Sequence, residues 1–146
     1  MNSKLLDRFL RYVRVNTQSM HDAKCFPSTE GQFRLARILV RELKELGISD
    51  AKVDDHCYVI ATLPSNIPTD HPAHGKVPAI GFVAHLDTSP DFSGENVSPN
   101  VIKYEGGDIS IGVDPVTLED IIIRELENPI LSQSVGHTIV TTDGKT

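Results

Sequence analysis

An α/β layer fold is the fold class that the sequence predicts, and three observations support it. The first 46 residues contain two amphipathic helical patterns, and several short strand-like segments follow them. The segment 77–84, VPAIGFVA, is almost unbroken apolar sequence without alternation, which is typical of a central strand covered on both faces. Since each amphipathic helix has an apolar face to bury, we expect helices packed against a sheet.

The two predicted helices lie in the first third of the chain. The first covers 4–15, where apolar residues recur at helical spacing. The second begins after Thr29, whose three-residue spacing to Gln32 is that of a capping box, and it ends at Gly47. The residues expected to face inward are Leu6, Leu10 and Val13 in the first helix and Phe33, Ala36, Leu39 or Val40, Leu43 and Leu46 in the second.

Shorter elements are predicted along the rest of the chain. Strands over 51–53 and 57–63 are expected to form a hairpin, because turn residues separate them. The segment 64–76 contains three prolines and no periodicity, so it is predicted to be a surface loop. The Asp143-Gly144 pair is a hairpin turn signal, and a hairpin needs a second strand after its turn. Because the sequence stops at Thr146, we expect the chain to be the front part of a longer protein. The other predicted elements are strands over 101–104 and 109–113 that pair with one another, a short helix over 118–126 and a strand over 137–142.

Composition argues against several classes of function. The net charge is −6, divided into +4 over 1–46 and −10 over 47–146, which argues against nucleic acid as the main partner. The longest apolar stretches are far shorter than the ~20 residues that a membrane span needs, and the first residues show no secretory signal pattern. The two cysteines, Cys25 and Cys57, are too few for a disulfide scaffold. We therefore expect a cytoplasmic protein without a membrane or nucleic-acid partner.

The most informative chemical pattern is AHLDT, residues 84–88, at the end of the predicted central strand. Side chains alternate along a strand, so His85 and Asp87 are expected to point to the same side. A histidine there offers a ring nitrogen to a divalent metal, and the carboxylate can bind the same metal or fix the tautomer of the imidazole. A polar strand end that only turns into a loop is the alternative, because a His-x-Asp spacing is a weak signal by itself.

Residues 84–94, AHLDTSPDFSG, resemble the first metal motif of the peptidase T family. These tripeptide aminopeptidases are co-catalytic zinc exopeptidases. Other segments resemble the same family in the same order and span nearly the whole chain; they are 4–19 (KLLDRFLRYVRVNTQS), 27–32 (PSTEGQ), 61–64 (ATLP), 106–108 (GGD) and 141–146 (TTDGKT).

This resemblance implies a three-layer α/β/α catalytic domain, with 1–146 as its N-terminal part and the rest of that domain and a lid domain absent. It implies that His85 is a zinc ligand and that Asp87 is the supporting active-site carboxylate that orients it. The implied reaction releases the N-terminal residue of a small peptide substrate, a tripeptide, through water activated by two zinc ions. The bridging aspartate, the general-base glutamate and the other ligands would lie outside this chain. The chain alone is therefore expected to be inactive and prone to self-association, and the whole protein to be a possible homo-oligomer.

Two other functions stay open at this point. One is an acyl-amino-acid amidohydrolase of the same clan, and the other is a metal-free binding or scaffold domain in which His85 and Asp87 only hold a loop.

The other candidate residues have simpler interpretations. His71 and His74 are expected to be an exposed loop pair, and Cys25 and Cys57 are expected to be buried or inert thiols.

Overall fold

The computed structural model describes residues 3–143, which divide into two compact units. One unit is Ser19–Asp87, and the other comprises the described parts of Met1–Gln18 and Thr88–Thr146. Helices and small two-stranded sheets are both present, in agreement with the predicted α/β class. Within the described residues, no helix is long and apolar enough to cross a membrane. The elements are α1 (Ser3–Tyr12), α2 (Glu30–Glu45), β1 (Lys52–Val53), β2 (Val59–Ile60), β3 (Asn100–Lys103), β4 (Ile109–Val113), β5 (Asp120–Ile123), β6 (Thr138–Thr141) and two 3-10 turns, Glu125–Glu127 and Ser132–Ser134.

Helix α1 confirms the first predicted helix, although it ends three residues earlier than expected. The last helical backbone bond runs from Val13 N to Phe9 O at 3.1 Å, and a tighter turn follows. The Arg14 guanidinium then donates to the carbonyl oxygen of Leu10 at 3.0 Å. A basic side chain in this position satisfies a carbonyl of the last turn, which helps to end the helix there.

Helix α2 begins where the sequence predicts. Thr29 is the extended N-cap residue, and its side chain makes no capping hydrogen bond among the described residues. The Gln32 side chain donates to the hydroxyl of Ser28 at 3.0 Å. The start of the helix is therefore confirmed, whereas the cap expected from the Thr29 side chain was wrong.

The end of α2 is a Schellman motif centred on Gly47, as expected from that glycine. Gly47 has a φ of 91°, which a residue without a side chain adopts without strain. Its amide donates to Lys44 O at 2.9 Å, and the amide of Ile48 donates to Leu43 O at 3.0 Å. These two bonds satisfy carbonyls that the end of a helix otherwise leaves free.

Strands β1 and β2 form the predicted hairpin in the same unit. Val53 lies opposite Val59, and the carboxylate of Asp54 accepts hydrogen bonds from the amides of His56 and Tyr58, both at 2.9 Å. Cys57 completes the turn with a φ of 69°. One aspartate side chain therefore organises the turn, which is the usual role of aspartate in such loops.

In the other unit, β3 and β4 are present but do not pair with one another, so this prediction was wrong. Among the described strands, β3 pairs with β6 and β4 pairs with β5, both antiparallel. The pairing of β3 with β6 continues just beyond the end of β3, where Tyr104 N donates to His137 O at 2.9 Å. Strand β6 confirms the strand predicted over 137–142, whereas Gly144 of the predicted hairpin turn lies outside the described residues.

The helix predicted over 118–126 is also wrong, since β5 and a 3-10 turn occupy this range. The run of three isoleucines in β5 explains the difference, because β-branched side chains favour strands over helices. Ile121 and Ile123 pack against a small core formed by Tyr104, Ile109 and Ile111. The apolar contacts of β4 and β5 therefore decide the structure of this segment.

The largest correction concerns the segment 77–84, which is neither a strand nor buried. Every residue of this segment is exposed, with Phe82 at 95% and Val83 at 100% exposure. A strand needs backbone partners for its amides and carbonyls, and no described residue pairs with this segment. The apolar composition of 77–84 therefore favours a strand, but it does not supply the backbone pairing that a strand requires.

Candidate functional site

The structure brings the two predicted site residues, His85 and Asp87, into contact. Nδ1 of His85 lies 2.7 Å from the backbone oxygen of Asp87 and 3.2 Å from its carboxylate Oδ1. A carbonyl oxygen can only accept, so Nδ1 carries the proton and donates it. Nε2 then keeps its lone pair, and it has no hydrogen-bond partner within residues 3–143.

The two side chains differ in their exposure to solvent. The imidazole is 84% exposed, whereas the Asp87 side chain is 48% exposed. The carboxylate is therefore partly enclosed, while most of the ring surface is open to solvent. This arrangement leaves Nε2 accessible to a ligand.

Ser19 is a third member of the site, and its role was not predicted from the sequence. Its hydroxyl donates to Asp87 Oδ2 at 2.6 Å. This hydrogen bond, with a smaller contribution from His85, holds the pKa of Asp87 below the ordinary value of an aspartate, while partial burial opposes the shift. Asp87 is therefore ionised at neutral pH. No local pattern could have revealed Ser19, because its partner lies 68 positions away.

A cleft of about 590 Å³ in the unit Ser19–Asp87 opens beside these residues. His85 and Asp87 line it together with Ser19, and much of the remaining wall is apolar. The apolar lining comes from Met20, Phe26, Pro27, Tyr58, Val83 and Leu86. The imidazole and the carboxylate thus border a space of the size that small-molecule sites use.

The histidine pair in the proline-rich loop is exposed, as expected. His71 Nδ1 accepts a hydrogen bond from the amide of Ala73 at 3.1 Å, and His74 Nδ1 lies 3.0 Å from Ile67 O. Both rings therefore take part in local turns of the loop.

The two cysteines differ in exposure, since Cys25 is exposed and Cys57 is buried. Burial raises the pKa of the Cys57 thiol, which disfavours the reactive thiolate. For Cys57 the expectation of an inert, buried thiol therefore agrees with the structure.

The described residues fit one part of a zinc site. Neutral histidine with Nδ1 held by a carboxylate and Nε2 open is the usual form of a zinc-binding imidazole. Zinc sites in proteins use three or four protein ligands, however, and no group of three or more His, Cys, Asp or Glu in the described part of the chain could hold a metal. His85 thus fits the role of a single ligand, supported by Asp87.

Comparison with known sequences gives one consistent result. No family model matches the chain. The chain is 48% identical over 143 residues to peptidase T of Alkaliphilus oremlandii (strain OhILAs), which is 97% of this chain and 33% of that protein. It is 49% identical over 144 residues to peptidase T of Yersinia pestis (strain Pestoides F) and of Yersinia pseudotuberculosis serotype O:1b (strain IP 31758), or 98% of this chain and 32% of each protein. The chain therefore spans about a third of the length of these curated relatives, and the resemblance predicted from its motifs is confirmed.

Proposed function

We propose that this chain, a homologue of peptidase T, is part of a zinc-dependent aminopeptidase to which it contributes one metal ligand. His85 is the proposed ligand through Nε2, and Asp87 is the residue that orients it. The contact between His85 Nδ1 and Asp87 carries this proposal, because it fixes the tautomer that leaves Nε2 open. The identity of 48–49% over nearly the whole chain supports the family assignment on which it rests.

The proposed reaction is the hydrolytic release of the N-terminal residue of a tripeptide. Zinc, two ions per site in the whole protein, supplies a water of lowered pKa and positive charge for the developing oxyanion. His85 contributes a neutral nitrogen donor, and Asp87 accepts the hydrogen bond from Nδ1–H and so increases the basicity of the ring. The cleft beside them has room for a small peptide, and much of its wall is apolar.

The remaining ligands, the bridging carboxylate and the general base are proposed to lie in the part of the relatives that this chain does not cover. We also propose that 1–146 is the N-terminal part of a three-layer α/β/α catalytic domain in a cytoplasmic protein. No observation favours the amidohydrolase or the scaffold alternative.

A tripeptide-hydrolysis assay of the protein encoded by the complete gene tests this proposal. We expect activity that a chelator abolishes, that added zinc restores and that His85→Ala reduces by at least 100-fold. His74→Ala is the matched control, because it removes an exposed imidazole that takes part only in a loop turn. Hydrolysis that survives both the chelator and His85→Ala would contradict the proposal, as would the absence of hydrolysis in the zinc-loaded protein.

A further inference from the structure

Asp87 presents its two carboxylate oxygens to two different partners. Oδ1 lies 3.2 Å from Nδ1 of His85, and Oδ2 accepts the hydrogen bond from Ser19 Oγ at 2.6 Å. All three residues belong to the unit Ser19–Asp87. The hydroxyl thus joins two segments that are 68 positions apart, at the residue that supports the imidazole.

We propose that Ser19 is a positioning residue, which holds the Asp87 carboxylate in the orientation that supports His85 as a ligand. This inference rests on the proposed function, because the orientation of His85 matters to a reaction only if the ring binds metal. The Asp87 side chain is 48% exposed, and its terminal torsion is broad in the absence of a partner. A short bond to one oxygen restricts that torsion together with the χ1 rotamer that carries it, and it directs the other oxygen towards the ring.

The chemistry of serine suits this role. A hydroxyl that donates to an ionised carboxylate makes a short, charge-assisted hydrogen bond. It adds no charge of its own, so the full negative charge of Asp87 stays available to the imidazole. A lysine or arginine would hold the carboxylate too, but it would compete with His85 for that charge.

The backbone is also held at the sequence neighbours of the two residues. Gln18, which precedes Ser19, forms a parallel bridge with Thr88, which follows Asp87. The Thr88 amide donates to Thr17 O at 3.2 Å, and the Gln18 side chain donates to Pro90 O at 2.9 Å. Both side chains therefore project from positions directly next to a paired stretch of backbone.

Zinc affinity and steady-state kinetics of the full-length protein test the role of Ser19. We expect Ser19→Ala to weaken zinc binding about 10-fold in chelator competition and to lower kcat by about the same factor, with KM within about twofold. Ser19→Thr keeps the hydroxyl and should restore both values. Ser132→Ala is the matched control, since the Ser132 hydroxyl donates to Pro129 O at 2.7 Å, outside both the motif 84–94 and the unit Ser19–Asp87. It should leave both values unchanged.

A double-mutant cycle separates positioning from a general effect on structure. If Ser19 acts through Asp87, Ser19→Ala should cause no further loss of zinc affinity in an Asp87→Ala background. An equal loss in both backgrounds overturns the proposal, as does a Ser19→Ala protein within twofold of the parent in affinity and kcat. If Ser19→Ala does not fold, Ser19→Cys replaces it, and its weaker donor should give an intermediate loss.

Side-chain couplings of Asp87, measured by NMR on the metal-free protein, keep this inference separate from the proposed function. One Asp87 rotamer in the parent that becomes averaged in Ser19→Ala supports the role of Ser19. The same single rotamer in both proteins overturns it. A full-length protein without zinc-dependent hydrolysis would instead refute the proposed function, and the couplings would still decide the role of Ser19.

Discussion

The exposed apolar segment 77–84 predicts that the isolated 146-residue chain associates with itself, and that Val83→Lys prevents this. No described residue pairs with the backbone of the segment, and Val83 is completely exposed. An unpaired apolar segment of high β-propensity is the kind that pairs with a second copy. Pro78 lacks an amide proton, so pairing should involve mainly 79–84.

The size of the effect follows from the exposure of Val83. Full burial of a valine side chain is worth about 1.5–3 kcal/mol, and a symmetric pair buries two of them. If about half of this area is buried between the copies, the substitution costs about 1.5–3 kcal/mol of association free energy. That corresponds to a roughly 10- to 100-fold weaker dimer. The added lysine charges also repel one another across a symmetric contact, which increases the loss.

Light scattering and sedimentation of the chain over a range of concentrations measure the effect. The control is Leu126→Lys, which changes an equally exposed apolar side chain outside the segment, at 93% exposure. We expect the parent and the control to associate and Val83→Lys to stay monomeric at the same concentration. A parent that is a monodisperse monomer at high concentration would refute the reasoning, and so would equal association of Val83→Lys and the parent.

Three further predictions concern the helix end, an acidic turn and the metal. Gly47→Ala should destabilise the chain by about 1 kcal/mol in urea unfolding, because Gly47 has a φ of 91°. Gly81→Ala is the control and should change stability little, because Gly81 has no positive φ and no described atom lies within 4 Å of the new methyl group. Equal effects of the two substitutions would contradict the role of the Schellman motif. Backbone hydrogen bonds from Thr117 and Val116 lower the pKa of Asp114. The contribution of Asp114 to stability is therefore present above the ordinary aspartate pKa and is lost as the pH falls through the lowered value. Asp114→Ala should remove this acid dependence, and an unchanged pH profile in thermal unfolding would refute the assignment. The isolated chain should bind zinc weakly in calorimetry, with little change on His85→Ala, and submicromolar binding abolished by that substitution would show that the chain holds more ligands than His85.

Local chemistry explains which parts of the fold the sequence predicts. Gly47 ends α2, and Asp54 organises the β1–β2 turn, because each acts on backbone groups within a few residues. The pairing of β3 failed as a prediction because its partner is chosen by distant contacts, such as Tyr104 with His137. Periodicity alone does not assign the three isoleucines of β5 to a helix or a strand. Their β-branched side chains favour a strand, and the packing of Ile121 and Ile123 against the core around Tyr104 adds to that preference.

The residues of the candidate site also divide into those that a local motif predicts and those that only the folded chain brings together. His85 and Asp87 could be found because two residues in one short motif carry the chemistry, whereas Ser19 could not be found because only the folded chain brings it to Asp87. The cleft beside them is formed by four separate parts of the unit, which are three stretches within 19–28, 56–58 and 83–87 and the single residue Gln32. Its existence therefore depends on tertiary structure that no motif describes.

The contact between His85 and Asp87 does not depend on the strand from which it was predicted. Alternation along a strand was the original reason to expect both side chains on one side, yet the residues meet although 77–84 forms no strand. A spacing of two residues brings the imidazole within reach of the following backbone oxygen and carboxylate in an extended chain, whether or not that chain is paired. The tautomer of His85 is therefore set locally. On the proposed function, tight zinc binding would in addition require the ligands that we propose to lie in the rest of the catalytic domain.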